Sequence, residues 1–107
     1  MKFYHKLYVG DKVKNLLLIK NKLRMGIGTI KVYIISLSNG TDQLDIFHAG
    51  LLKQKYLRSH TCYIIGIASS YQEAIQMVVD ITKEVVQETG TADIKSYLLE
   101  KIKDKHL

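Results

Sequence analysis

The chain contains no proline and no tryptophan, and it has a single cysteine, Cys62. Because proline usage averages about 5%, its absence means that helix starts and turns must be formed by Ser, Thr, Asp, Asn and Gly. One cysteine cannot form a disulfide within the chain. Since structural disulfides belong to oxidising compartments, this composition favours a cytoplasmic protein.

Long apolar runs are also missing. No stretch approaches the roughly 18 consecutive apolar residues that a transmembrane helix needs. Charged residues interrupt every short apolar patch of the opening segment, MKFYHKLYVGDKVK, which therefore lacks the apolar region of a signal peptide. We expect a cytoplasmic location and no membrane partner.

The overall composition is that of an ordinary globular protein, but its charge is uneven. With 107 residues, 47% of them apolar and 24% charged, the chain predicts a single α+β domain over residues 1–107. Residues 1–60 hold 11 Lys and Arg against 3 Asp and Glu, whereas residues 61–107 hold 5 against 7. The positive excess predicts either a polyanion-binding surface or a general solubilising charge.

The first quarter of the chain leaves two assignments open. Residues 1–9 fit either a short strand or an ordered arm. Residues 12–25 fit a helix that begins at an Asp11 cap and ends before Gly26, although LLLIKNKL fits a strand as well. In the helical assignment the inward side consists of Val13, Leu16, Leu17, Lys20 and Leu23.

Three strands are predicted next. TIKVYIISLS is rich in β-branched residues, and CYIIGIA is apolar throughout, which is typical of a central strand. QLDIFHAGLL lies between them, after a turn whose Asn39-Gly40 pair favours a hairpin. In TIKVYIISLS both alternating sets of side chains are apolar. Both faces of the sheet therefore need a cover, which helices or a second copy of the chain would supply.

The stretch GIASSYQEA begins the clearest helix. Ser70 and Glu73 form a capping-box pattern, in which each side chain accepts a hydrogen bond from the backbone N–H of the other residue. This helix ends at Gly90, and DIKSYLLEKIKDK predicts a last one. Because the cap occupies backbone donors, anion binding at Ser70 is disfavoured. The predicted inward side of the long helix is Tyr71, Ala74, Ile75, Val78, Ile81, Thr82, Val85 and Val86.

These elements predict a three-stranded antiparallel meander with an N-terminal helix and two C-terminal helices packed on it, in the order α-β-β-β-α-α. This order resembles the double-stranded-RNA-binding domain, and the junction at Ser70 also resembles small antitoxin-like β-rich domains. The RNA-binding family has lysines at that helix start and a histidine in its hairpin loop. This chain has Ser70, Tyr71 and Gln72 there, and its loop reads SNGTD. The resemblance therefore implies a topology only.

Three short patterns contain residue types that can carry chemistry. MGIGT at 25–29 follows a helix and precedes a strand, which is the reverse of a phosphate loop and indicates a helix stop. His60 and Cys62 share one side of an extended segment, but no orienting group or second metal ligand accompanies them. His48 has no carboxylate on its own face of the strand. We expect no catalytic constellation, no metal and no cofactor.

The basic connector between the second and third predicted strands is the most suggestive site. Cations there can contact phosphates, and an aromatic ring among them can stack on a base. The predicted polyanion-binding residues are Lys53, Lys55, Tyr56, Arg58, His60, Lys20, Lys22 and Arg24, supported by Lys12 and Lys14. The sequence predicts a small non-enzymatic module that binds nucleic acid or another polyanion. The alternative is a protein-interaction or homodimeric regulatory module whose positive charge is incidental.

Overall fold

The computed structural model describes residues 2–26, 30–38, 43–53 and 63–105. These residues form four strands, three α-helices and one short 3-10 helix, so the predicted α+β class is confirmed. In chain order the elements are β1 (Lys2–Val9), α1 (Leu16–Met25), β2 (Tyr33–Leu37), β3 (Leu44–His48), the 3-10 helix (Ala49–Lys53), β4 (Tyr63–Ala68), α2 (Tyr71–Thr89) and α3 (Ile94–Lys105).

The sheet is mixed and has the order β1-β4-β2-β3, so the predicted three-stranded meander is wrong. β2 is antiparallel to both β3 and β4, and β1, for which the sequence leaves two assignments open, pairs in parallel with β4. The chain crosses from β3 over β2 to reach β4. Among the described strands β4 is central, as its apolar sequence predicts, but the sheet lacks the order on which the resemblance to the RNA-binding domain rests.

Both faces of the sheet are covered. The apolar side chains of β2 point to both faces, and each face therefore needs a cover. Ile35 and Leu37 belong to a cluster with the buried residues of α2 and α3. Val32 and Ile34 belong to a second cluster with Leu23 of α1 and with the 3-10 helix. The chain's own helices therefore supply both covers, and the sheet faces give no reason for a second copy of the chain.

α1 is shorter than the sequence predicts and begins at a different cap. Asp11 lies in a turn, and the residue before the helix is Asn15, which has a left-handed backbone and no side-chain capping bond. Gly26 ends the helix in the left-handed conformation, as expected. Leu17, which the pattern places on the inward side, is 72% exposed, whereas Leu23 is buried and lies on the side of the helix that meets the sheet.

α2 begins as the capping pattern predicts, with one change of partner. The Ser70 hydroxyl accepts from the Glu73 N–H at 3.1 Å. The Glu73 carboxylate reaches the N–H of Ser69 at 2.7 Å instead of the N–H of Ser70. Its other oxygen accepts from the Lys12 N–H at 3.3 Å, so the cap also holds the turn after β1. Gly90 ends the helix with a left-handed backbone.

The inward side of α2 is rotated from the predicted one. Ala74, Ile81 and Val85 are buried as expected, and they are joined by Met77. Tyr71, Ile75 and Val86, which the pattern places on the inward side, are exposed. Periodicity shows that a helix has an apolar side, but the packing of the whole domain decides which part of a wide apolar side meets the sheet. Among the described residues, no helix combines the length and apolar character that crossing a membrane requires.

Candidate polyanion-binding surface

The helices α1 and α2, which pack on opposite sides of the sheet, differ in charge. α1 carries Lys20, Lys22 and Arg24 and has no acidic residue. On the opposite side of the sheet, α2 carries the acidic residues Glu73, Asp80, Glu84 and Glu88. The positive charge that the sequence concentrates in residues 1–60 is therefore represented by a basic helix on one side of the domain.

Two of these cations are held over a single aromatic ring. The Lys20 Nζ lies 5.1 Å from the centroid of the Phe3 ring, and the Arg24 guanidinium carbon lies 4.9 Å from it. Lys20 and Arg24 are four residues apart, which places them on the same side of α1. The two charges are therefore no more than about 10 Å apart. The negative face of the ring attracts both cations and limits their freedom in the absence of any ligand.

A basic groove opens at the sheet edge beside Phe3. It has a volume of about 330 Å³ and lies between the ends of α1 and α3. Lys2 places its Nζ 6.0 Å from the centroid of the Tyr63 ring, so a second aromatic residue positions a cation there. No acidic side chain occurs among the described residues that line the groove. These are Lys2, Phe3, His5, Arg24, Tyr63, Ile102 and Lys105.

A second basic depression, of about 260 Å³, lies at the other end of α1. Its described lining contains four lysines and no Asp or Glu: Lys12, Lys14, Lys22 and Lys31. Basic side chains therefore extend along the whole length of the helix. We name this the α1 basic surface, defined as Lys20, Lys22 and Arg24 of α1 together with Lys2, Lys12, Lys14, Lys31 and Lys105.

The predicted basic connector begins on the same side of the sheet. Ala49 and Leu52 of the 3-10 helix are buried in the cluster that contains Leu23 of α1, and this helix ends at Lys53. The remaining predicted site residues, Lys55, Tyr56, Arg58 and His60, lie outside the described residues, as does Cys62. The described part of the predicted site therefore consists of the three cations of α1 and the main chain at Lys53, on the same side of the sheet.

A cavity of about 470 Å³ lies at the start of α2, and it is not basic. Asp11, Glu73 and Asp80 line it, with Lys12. The N–H of Ser69, followed by the Ser69 side chain and the Lys12 N–H, holds the pKa of Glu73 below its ordinary value, although partial burial opposes this effect. The ionised Glu73 accepts from the N–H groups of Ser69 and Lys12 beside this helix start, and its negative charge disfavours an added anion there.

His48 is held in place by its neighbours. Its Nδ1 accepts a hydrogen bond from the Gly50 N–H at 3.0 Å, and its ring meets Tyr33 edge to face at 5.2 Å. In the part of the chain that the structure describes, no three His, Cys, Asp or Glu side chains form a metal-binding group. These contacts give His48 a local structural role at the end of β3.

Sequence reasoning missed Phe3, Lys2, Tyr63 and Lys105. These residues meet only because β1 and β4 pair in parallel, in the register Lys2 with Tyr63 and Phe3 with Ile64. The single local signal is the cluster of aromatic and basic residues in KFYHK, a mixture that can bind nucleic acid once the segment is known to be a strand. Comparison with protein-family models, curated proteins and solved structures gives no match to this chain.

Proposed function

We propose that this chain is a small, non-enzymatic, cytoplasmic module that binds nucleic acid through the α1 basic surface. The observation that carries the proposal is the placement of Lys20 and Arg24 over the Phe3 ring. A phosphate group between or beside them would contact both positive charges. The ring has already restricted both side chains, which reduces the entropy lost on binding.

The neighbouring side chains favour nucleic acid over a simple anion. Lys2 and Lys105 extend the positive charge beyond α1, as a backbone with many phosphates requires. Phe3 and Tyr63 add aromatic surface at the same groove, where an unstacked base would bind to a ring in place of the cation that the ring holds in the free protein. Leu17 and Met25, which are exposed on α1, offer apolar contact next to the cations. We therefore propose a single-stranded ligand, bound mainly through its phosphates.

A salt titration tests this function. Binding of the wild type to labelled, mixed-sequence single-stranded RNA and DNA is measured against salt concentration. The variant Lys20→Gln with Arg24→Gln is compared with a control, Lys101→Gln with Lys103→Gln, which removes the same charge from α3. If the first variant no longer binds two of the phosphates, we expect the magnitude of its slope of log affinity against log salt to fall by about 1.4 for these single-stranded ligands. The control should keep the wild-type slope.

Two results would contradict the proposal. A wild type that does not bind at low salt removes nucleic acid as the ligand. Equal reductions of affinity in the two variants would show that net charge, and not the α1 basic surface, drives binding. Heparin is included as a competitor, and a higher affinity for heparin than for either nucleic acid would assign the surface to another class of polyanion.

The alternative function, a protein-interaction or homodimeric module, is favoured by a different observation. Ile75, Val79 and Val86 form an exposed apolar row on α2, on the opposite side of the sheet from α1. Because the two surfaces are separate, the chain can carry both functions. A sedimentation mass tests the homodimer separately, since polyanion binding by α1 requires no second chain.

A further inference from the structure

The depression of about 260 Å³ at the start of α1 gathers lysines from three separate segments of the chain. Lys12 and Lys14 belong to the stretch after β1, Lys22 belongs to α1, and Lys31 precedes β2. Lys12, Lys14 and Lys31 are exposed, and Lys22 is half-buried. No Asp or Glu occurs among the described residues that line the depression. Four positive charges therefore surround one small volume.

The inner wall of the depression is apolar. Ile30 and Val32 are buried, and Val13 and Ile19 pack against the cluster that contains them. Such a wall has a low dielectric constant, so the attraction between the lysines and a bound anion is screened less than on an open surface. The same four cations should therefore hold an anion more firmly here than on a fully solvated helix face.

The turn between β1 and α1 is held by three hydrogen bonds of its main-chain N–H groups. The Gly10 N–H donates to the Ile67 carbonyl oxygen of β4 at 2.9 Å, and the Val13 N–H donates to the Gly10 carbonyl oxygen at 3.0 Å. The Lys12 N–H donates to the Glu73 carboxylate at 3.3 Å. Because these contacts fix the main chain before a ligand arrives, less conformational entropy is lost on binding.

The carboxylate that contacts this turn does not line the depression. Glu73 lines the cavity at the start of α2, where it accepts from the N–H groups of Ser69 and Lys12. The residues that line the depression do not include Glu73. The acidic cavity and the basic depression are therefore separate sites on the two sides of this turn.

The start of α1 adds main-chain donors to the four lysines. Asn15 and Leu18 both line the depression. Asn15 makes no side-chain capping bond, and the first turn of the helix contains no acidic residue. The Asn15 side chain therefore does not compete with an anion for the first N–H groups of this helix.

The concentration of charge in this depression exceeds what a nucleic-acid backbone requires. A backbone carries its phosphates in series, with one negative charge on each. Four lysines around about 260 Å³ outnumber the charge of a single backbone phosphate, whereas a di- or triphosphate brings several linked phosphates into one such volume. We propose that Lys12, Lys14, Lys22 and Lys31 form a binding site for a compact oligophosphate, either free or at the 5′ end of a nucleic acid. This site goes beyond the proposed function, because it requires neither Phe3 nor the cations over its ring.

Isothermal titration calorimetry of the full chain tests the site. Tripolyphosphate, pyrophosphate and orthophosphate are compared at constant ionic strength without divalent cations. We expect tripolyphosphate to bind at least about tenfold more tightly than orthophosphate, because each added phosphate meets further lysines.

Two variants show where the oligophosphate binds. Lys14→Gln with Lys31→Gln removes two of the four lysines and should raise the dissociation constant of tripolyphosphate about tenfold or more. Lys101→Gln with Lys103→Gln is the control, since it removes the same charge from α3, and it should bind tripolyphosphate like the wild type. Thermal midpoints without ligand check that each variant is folded.

A comparison of two RNAs distinguishes the sources of the oligophosphate. A short RNA with a 5′-triphosphate is titrated beside the same RNA with a 5′-hydroxyl. Tighter binding of the triphosphorylated RNA, lost in the Lys14→Gln, Lys31→Gln protein, would assign the site to a nucleic-acid end. Equal affinities for the two RNAs, together with tight binding of tripolyphosphate, would assign it to a free oligophosphate.

The proposal fails on any of three results. Tripolyphosphate that binds no more tightly than orthophosphate would show that the depression does not recognise linked phosphates. Equal dissociation constants for the Lys14→Gln, Lys31→Gln protein and its control would show that net charge drives binding. A greater loss of affinity in Lys20→Gln with Arg24→Gln would place the oligophosphate at the groove beside Phe3. The salt titration of single-stranded binding is a separate measurement, so failure of this site and failure of the proposed function are distinguishable.

Discussion

The Tyr8 hydroxyl donates a hydrogen bond to a Glu84 carboxylate oxygen 2.6 Å away, and this contact joins β1 to the middle of α2. The Tyr97 hydroxyl of α3 approaches the same oxygen at 3.4 Å. One carboxylate therefore connects β1, α2 and α3. Hydrogen bonds to a charged acceptor are stronger than those between neutral groups, so the shorter of these two contacts should contribute measurably to stability.

We predict that Tyr8→Phe lowers the free energy of unfolding by about 1.5 to 3 kcal/mol, because it leaves a partly buried carboxylate without its shortest hydrogen bond. Tyr97→Phe is the matched variant at the same oxygen, and it should cost less, since its contact is longer. Urea denaturation of both variants measures the difference. An equal loss of stability in the two variants would mean that the shorter hydrogen bond to Glu84 contributes no more than the longer contact.

Alkaline pH should destabilise the fold. Burial, followed by the hydrogen bond to Glu84, raises the pKa of Tyr8 above its ordinary value of 10.0, and burial also raises the pKa of Tyr4 and Tyr97. Above about pH 10 the unfolded chain releases tyrosine protons that the folded chain retains. The free energy of unfolding therefore falls as pH rises through this range.

The contribution of Tyr8 to this pH dependence can be isolated. Denaturation midpoints of the wild type and of Tyr8→Phe are compared between about pH 8 and pH 12, a range that brackets the tyrosine pKa in an unfolded chain. We expect the midpoint of the variant to be lower at neutral pH and to fall less steeply in alkali. Parallel curves for the two proteins would show that Tyr8 does not titrate differently in the folded and unfolded states.

Removing the α2 cap should measurably lower the free energy of unfolding. Ser70→Ala deletes the acceptor of the Glu73 N–H and should lower the free energy of unfolding by about 1 kcal/mol. Ser96→Ala is a comparison at the start of α3, where the Ser96 hydroxyl bonds to Asp93 on the surface. It should cost less than Ser70→Ala. An unchanged thermal midpoint in Ser70→Ala would mean that the cap contributes nothing.

Gly10 lies close to the Glu73 carboxylate, and we predict that a larger residue at this position lowers stability. A methyl group at Gly10 would overlap the Glu73 carboxylate, which would have to leave the N–H groups of Ser69 and Lys12. Gly10→Ala should therefore destabilise the wild type by about 1 to 3 kcal/mol, because those hydrogen bonds break. In a Glu73→Ala background the same change should cost much less. Additive costs in this double-mutant cycle would show that the two residues act independently.

The basic connector should contribute to polyanion binding together with α1. Changing Lys53, Lys55 and Arg58 to Gln should weaken binding to single-stranded RNA and reduce the salt slope by about 0.7 for each phosphate that the variant no longer neutralises. We predict that stability changes by no more than about 0.5 kcal/mol, which is the usual range for charge substitutions at surface positions. A salt titration beside the wild type checks this. An unchanged slope would confine binding to the α1 basic surface.

The features that could be predicted from the sequence are local ones. Ser70, Glu73 and Gly90 mark the ends of α2 because capping depends on residues a few positions apart. The central place of β4 follows from its unbroken apolar run. The parallel pairing of β1 with β4 could not be derived, since it joins segments about sixty residues apart and leaves no periodic signal in either. The sequence therefore indicates Lys20 and Arg24 but gives no reason to place Phe3 beside them.

The rotation of α2 shows a second limit. Tyr71, Ile75, Val78 and Val86 are all apolar and fall within one wide sector of the helix, so the sequence predicts a core position for each of them. In the structure Ala74, Met77, Ile81 and Val85 are buried, and Ile75 and Val86 are exposed. Which part of the apolar sector is buried therefore depends on packing against other elements, which the periodicity of α2 alone does not contain.

The parallel pairing of β1 also sets an order of events during synthesis. Lys2 and Phe3 leave the ribosome early, but their partners Tyr63 and Ile64 follow about sixty residues later. Until then β1 has no strand to bond with, and closing such a long loop is entropically costly and slow. The nascent chain must therefore hold an apolar, basic segment unpaired while β2 and β3 form their hairpin. Among the described strands, β1 therefore waits longest for its partner and is the segment that a chaperone could bind for the longest time.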